Sequence, residues 1–128
     1  VQLTHEVAEG YFHFRRCEAG AVGVGDRTLT TSFLMAPDRI VEGWPVVDAA
    51  GFDLAAVDAV LALQPEVVLL GTGETQQFPP REAMAALLSR GIGIEVMGNA
   101  AACRTYNLLA SEGRRVVAAI LLGGAAGA

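Results

Sequence analysis

The chain has no lysine: all nine of its cations are arginine. That excludes a Schiff-base lysine, a P-loop lysine and a lysine general base within these residues. Arginine holds its charge permanently, so it is a poor proton shuttle and a good clamp for carboxylate or phosphate. Cysteine is scarce as well. Cys17 and Cys103 are too few for a disulfide framework and lack metal-ligand spacing. A reducing, cytoplasmic compartment is therefore expected. The only histidines, His5 and His13, sit in the N-terminal segment; no metal-ligand cluster is visible in the sequence, and no metal site and no cofactor is expected. Charged residues make up 18% of the chain, the net charge is −5 and the isoelectric point about 4.9. Such a surface does not attract phosphate backbones, and no nucleic-acid partner is expected. Long apolar runs are missing too: despite a mean hydropathy of +0.41, no run approaches the ~20 residues that cross a bilayer. The opening residues, VQLTHEVAEGY, have neither the basic start nor the apolar stretch of a signal peptide. A first residue of Val is compatible with trimming upstream.

What remains is 128 residues of 13.3 kDa, 52% of them apolar. A chain of this size buries roughly two-thirds of its unfolded surface and needs no staples. The first third reads as β. Tyr11 to Arg15 is rich in aromatics, and Ala21 to Val24 and Thr28 to Met35 follow, with Gly25-Asp26 as a hairpin turn. Gly20, Gly23 and Gly25 point to bulges or close backbone approach. Ala36 to Gly51 reads as an irregular connection carrying the single tryptophan, Trp44.

Helix and strand then alternate. Asp53 is placed to cap a helix with Leu54, Val57 and Leu61 on one face, and Pro65 ends it. Glu66 to Leu70 is a continuous apolar strand, the pattern of a strand covered on both faces. A second helix puts Met84, Leu87 and Leu88 on one face and stops at Gly91. Ile92 to Met97 is a strand, Asn99 is placed to cap a third helix, and Gly113 supplies its stop. Val116 to Leu122 is the most apolar strand and is expected at the centre. The expectation is a single compact α/β domain with a mixed central sheet: a β-rich front, then α-β-α-β-α-β with right-handed crossovers. Residues 1–10 read as an N-terminal extension, 11–122 as the domain and 123–128 as a flexible tail.

Two segments carry the candidate chemistry. GTGETQQFPP, Gly71 to Pro80, leaves a buried strand at its carboxyl end and enters a helix, where open α/β sheets keep their ligands. Gly71 and Gly73 let backbone amides approach an anion, and Thr72 and Thr75 offer hydroxyls. Glu74, however, puts a negative charge where a phosphate would sit. The loop is thus read either as a tight structural turn or as a binding loop for a ligand or partner. In the second segment, Arg104, Asn107 and Ser111 share one helix face and Ala102, Tyr106 and Leu109 another. Cys103 sits early in this helix, where the dipole favours a thiolate. It is the only weak candidate for a catalytic group, because no base is in evidence beside it; the plainer reading is a small buried side chain among alanines. His13 and Glu95 read as solvent-facing, Trp44 as a core anchor, and Asp38 with Glu42 as too loosely spaced for acid–base work.

The pattern "strand, GTG, then FP" from Gly71 to Pro79, followed by AACRTYNLLASEGRRV from Ala101 to Val116, resembles the Mth938-like family, also known as DUF498. The likeness covers residues 10 to 122, with a weaker match at Trp44-Pro45. The signature falls on Gly71, Gly73, Phe78 and Pro79, on Ala102 to Asn107, and on Glu112, Gly113 and Arg114. It departs at Gly98-Asn99, where relatives often carry an acidic or hydroxyl residue. The resemblance implies a compact α/β fold with a mixed sheet. Eukaryotic relatives include a mitochondrial assembly factor for respiratory complex I and a cytoplasmic protein linked to adipocyte differentiation, while bacterial members are largely uncharacterised. Two functions follow as expectations. One is a non-catalytic interaction module with a protein partner, helping a multi-subunit or membrane complex assemble. The other is a small anionic-ligand site or enzyme, in which Arg104 and the loop amides bind the anion.

Overall fold

A computed structural model describes residues 2–4 and 10–123. His5 and the residues from 124 onward, which include most of the tail expected to fray, lie outside the described residues. The strands are β1 (Gln2–Thr4), β2 (Phe14–Glu18), β3 (Ala21–Val24), β4 (Arg27–Leu29), β5 (Phe33–Ala36), β6 (Arg39–Glu42), β7 (Val67–Gly71), β8 (Gly93–Met97) and β9 (Val116–Ile120). The helices are α1 (Leu54–Leu61), α2 (Arg81–Leu88) and α3 (Asn99–Ser111). Six strands form one mixed sheet in the order β1-β6-β5-β9-β7-β8, and β2-β3-β4 form a second. β7 runs parallel to both β8 and β9, whereas β5 meets β9 antiparallel. β9 therefore lies inside the sheet, joining its parallel and antiparallel halves.

Both faces of that sheet are covered, which explains the unbroken apolar runs of β7 and β9. Val68, Leu70, Val117 and Ala119 pack with Trp44, Phe52 and the buried sides of α1 and α2. Leu69, Val116, Ala118 and Ile120 pack instead with α3 and the small sheet. The chain steps out from β7 through α2 to β8, then back across β7 through α3 to β9. Crossovers of one hand put those two helices on opposite faces, as found.

Several local expectations hold. Gly25 and Asp26 form the hairpin turn between β3 and β4. Asp53 caps α1, its carboxylate accepting from the Ala56 N–H at 3.0 Å. Gly91 and Gly113 end α2 and α3 with φ of 76° and 82°, the left-handed conformation that glycine adopts without a Cβ penalty. Trp44 is buried edge-on against Phe52, and His13 and Glu95 are exposed.

Others are corrected. The stretch Thr28 to Met35 is two strands in different sheets, broken at Thr30–Ser32. The break is fixed by Ser32, whose buried hydroxyl donates to the Leu122 carbonyl and accepts from the Leu122 N–H. The irregular connection contains β6, paired with β5. Leu54 and Leu88 are exposed; Ala56, Val57, Val60, Ala83 and Leu87 are the buried positions of α1 and α2. The segment read as an N-terminal extension contributes β1, which pairs antiparallel with β6.

Ion pairs tie the antiparallel half to the rest. Arg115 donates to the Leu63 carbonyl through Nε and Nη2 and to Asp38 at 2.8 Å through Nη1. Burial pushes the Asp38 carboxyl up, but the hydrogen bond and charge of Arg115, with Arg39 beside it, outweigh that and hold it below its ordinary value. A carboxylate held below its unfolded value stabilises the fold above about pH 4 and loses that contribution as the pH falls further. Asp38→Asn is therefore expected to melt below wild type at neutral pH, with the difference closing as the pH drops through 4 to 3. A difference independent of pH would show that the charge contributes nothing. Asp38 and Glu42 thus serve ion pairs with Arg115, Arg39 and Arg27.

Candidate functional site

The sheet topology puts the two candidate segments side by side. β7 and β8 are parallel neighbours in register from Val67–Gly93 to Gly71–Met97. The GTG loop after β7 and the start of α3 after β8 therefore emerge at the same edge. There the loop closes on itself and on α3. The Thr72 hydroxyl donates to the Thr75 carbonyl at 2.7 Å and accepts from the Gln77 N–H at 3.0 Å. Gln76 donates from Nε2 to the Val96 carbonyl at 2.8 Å, and the Thr72 N–H extends the ladder to the Met97 carbonyl.

Asn99 is the centre of this edge. Its N–H donates to the Gly73 carbonyl at 2.7 Å and its Oδ1 accepts from the Gly73 N–H at 3.1 Å. Its Nδ2 donates to the Leu121 carbonyl at 3.0 Å, so one buried carboxamide ties the GTG loop to the end of β9. This corrects the expectation that Asn99 caps α3. Gly98 holds the cap position without any side-chain bond, and Asn99 is the first helical residue. The sequence signal for a cap, Asn between strand and helix, is real; the side chain finds better partners across the sheet edge.

These bonds decide what the edge can offer a ligand. The Gly73 amide, the obvious anion donor, is taken by Asn99. The loop also covers the start of α3: a Cβ on Gly98 would sit 3.4 Å from the Gly73 and Glu74 carbonyl oxygens. Gly73 itself has φ of 96° with open space around it, so glycine is needed there for conformation. Outward face Glu74, Thr75 and Phe78, with Phe78 65% exposed.

The α3 candidates lie elsewhere. Arg104 is exposed, and no hydrogen bond or ion pair joins it to the loop or to Glu112 among the described residues. Asn107 is turned toward β2, where Oδ1 accepts from the Phe14 N–H at 2.7 Å and Nδ2 donates to the Phe14 carbonyl at 2.9 Å. Tyr106, fully buried, donates its hydroxyl to the Phe12 carbonyl at 2.8 Å and packs edge-on against Phe14. Burial pushes that phenol well above its ordinary value. Cys103 is 4% exposed. Burial pushes its thiol up, the charge and hydrogen bond of Cys17 push it further, and Arg104 offsets this only in part. Nothing there activates the thiol toward a substrate, as a catalytic nucleophile requires. A second cysteine, Cys17, packs into the same cluster, a proximity that a separation of 86 positions in sequence does not signal. Among the described residues no three His, Cys, Asp or Glu side chains gather as a metal site, and no helix is long and apolar enough to cross a membrane.

The architecture is thus a mixed-sheet α/β domain whose two glycine-bearing segments interlock at one sheet edge, with the α3 Tyr-Asn pair fastening the small sheet. The chain belongs to the family described as protein of unknown function (DUF498/DUF598), whose model matches residues 14–121. It is similar to a solution structure from Bordetella pertussis described as a Mth938-like domain, with a TM-score of 0.77 and 28% identity, covering 94% of this chain and 92% of that one. It is 29% identical over 121 residues to the human NADH dehydrogenase (ubiquinone) 1 alpha subcomplex assembly factor 3, covering 93% of this chain and 65% of that protein. It is 42% identical over 65 residues to a Francisella tularensis protein named "13 kDa major membrane protein", covering 51% of this chain and 53% of that one. The chain spans about half to two-thirds of the length of such relatives.

Proposed function

We propose that this domain is a non-catalytic interaction module that helps a multi-subunit or membrane complex assemble, acting in the cytoplasm and docking through the Gly71–Pro80 loop. The observation that carries this reading is the loop's polarity: the Thr72, Gly73 and Gln77 amides and the Thr72 hydroxyl are bonded within the protein, while Phe78 is 65% exposed. A ring held outward on a loop this well fastened loses little entropy on binding, which suits it to anchor a protein contact. The assembly-factor name of the human relative supports the same reading. The buried, protonated Cys103 and the internally bonded Gly73 amide count against an enzyme or anion site at this edge.

The test is native co-purification followed by mass spectrometry, with wild type beside Phe78→Ala. A reproducible protein partner, lost in Phe78→Ala while the Tm stays within ~2 °C, is the expected result, because an exposed side chain contributes little to stability. A stoichiometric small anion with no protein partner overturns the reading. Arg104→Ala would then abolish anion binding, again at little cost to the Tm.

A further inference from the structure

β2 carries a bulge. Phe14 pairs with Val24 and Cys17 with Val22, so three steps on β2 oppose two on β3, with the register shift between Phe14 and Arg16. In a regular strand, residues three apart point to opposite faces. The extra residue re-aims the strand: Arg15 and Arg16 are exposed, while Phe14 and Cys17 both pack into the cluster beneath α3. On α3, Cys103, Tyr106, Asn107 and Ala110 lie at i, i+3, i+4 and i+7, one helix face. Tyr106 bonds Phe12, Asn107 bonds Phe14, and one turn earlier on the same face Cys103 packs into the cluster that also takes Cys17. The bulge is what turns Cys17 inward, toward the cluster beneath α3 that also holds Cys103. Both are free thiols.

We propose that Cys17 and Cys103 are a redox-responsive dithiol that closes to a disulfide between β2 and α3 in the presence of a small disulfide oxidant of the glutathione class. Cys17 is half-buried and Cys103 buried, so Cys17 is the sulfur that meets the oxidant. Its thiolate attacks oxidised glutathione, forming a Cys17–glutathione mixed disulfide and releasing one glutathione thiolate, which takes up the proton Cys17 lost. Cys103 then gives up its proton, attacks the Cys17 sulfur and expels the second glutathione. The two cysteines lose two electrons and two protons, and one oxidised glutathione becomes two reduced ones. The bond would close a long loop and fasten the small sheet to α3 covalently. In a reducing compartment the pair rests as two thiols, so the clamp is reversible.

The experiment incubates reduced protein with excess oxidised glutathione, alkylates it under denaturing conditions and reads intact mass, peptide map and Tm. The expected product has lost two hydrogen atoms, takes no alkyl group, yields a linked Cys17–Cys103 peptide and melts about 10 °C higher, all reversed by dithiothreitol. Cys17→Ser should block oxidation, and Cys103→Ser should stop at the mixed disulfide on Cys17. Cys103→Ala replaces it if the buried hydroxyl prevents folding. A wild-type protein that stays fully reduced, stops at the glutathione adduct, links to a second copy or melts lower when linked would overturn the proposal.

Discussion

Gly71→Ala is expected to cost about 4 kcal/mol of stability and about 15 °C in Tm. A Cβ at this position would run into Asn99 Oδ1 and stand 3.0 Å from Ile120 Cδ1 and 3.3 Å from Ala102 Cβ. All three belong to a buried, close-packed edge. Asn99 has no free rotation with which to yield, since turning its carboxamide forfeits the bonds to the Gly73 N–H and the Leu121 carbonyl. Overpacking and two unpaired backbone groups then add. Urea denaturation and thermal melts check the size, and a double-mutant cycle checks the cause. Asn99→Ala alone should destabilise by about 2–3 kcal/mol through its orphaned partners. Adding it to Gly71→Ala should cost little more, because the clash and the bonds share one side chain. Additive losses, or a Gly71→Ala protein within 1 kcal/mol of wild type, would place the constraint elsewhere.

Asn107→Ala is expected to cost about 2–3 kcal/mol. A neutral hydrogen bond contributes ~1 kcal/mol net, and a partner left partly buried and unpaired costs more. Here both backbone groups of Phe14 are served by one carboxamide, which stands in for a neighbouring strand. The local signature is faster hydrogen exchange at the Phe14 amide than at Val117 or Leu69 on the central strands. This result separates a structural Asn107 from a ligand-binding one: a residue reserved for a ligand would leave the unliganded protein's stability unchanged.

Much of the fold was legible because its signals are local. Asp53 before an apolar-periodic run, Gly113 after one, Gly25-Asp26 between strands and the apolar β9 each act within a few residues, and each behaves as expected. The failures share a different cause. Thr30 to Ser32 has good strand propensity, yet the chain changes sheets there because Ser32 is bonded to Leu122, 90 positions away. β6 hides in a stretch with proline and glycine on either side, and its pairing with β5 and β1 supplies the stability its composition does not signal. Leu54 and Leu88 are apolar and exposed, as isolated surface leucines can be.

The candidate site divides the same way. The GTG loop was recognisable, since glycine, threonine and proline set its backbone through contacts a few residues long. Its orientation was not, because Asn99 decides which way the Gly73 amide points. Arg104 and Asn107 sit three apart on α3, as the helical period requires, but only the packing of β2 turns Asn107 into a backbone clamp and leaves Arg104 in solvent.

By itself the sequence determined the fold class, the order of most elements and the exclusion of lysine chemistry, because composition, periodicity and turn residues act at short range. Only the tertiary structure decided that Asn99 ties two strand ends instead of capping a helix and that Cys17 and Cys103 share one cluster. Each depends on long-range geometry: a parallel sheet that brings Gly73, Asn99 and Leu121 to one edge, and a one-residue bulge that reverses a side chain. A buried polar group takes whichever partner the packed chain supplies.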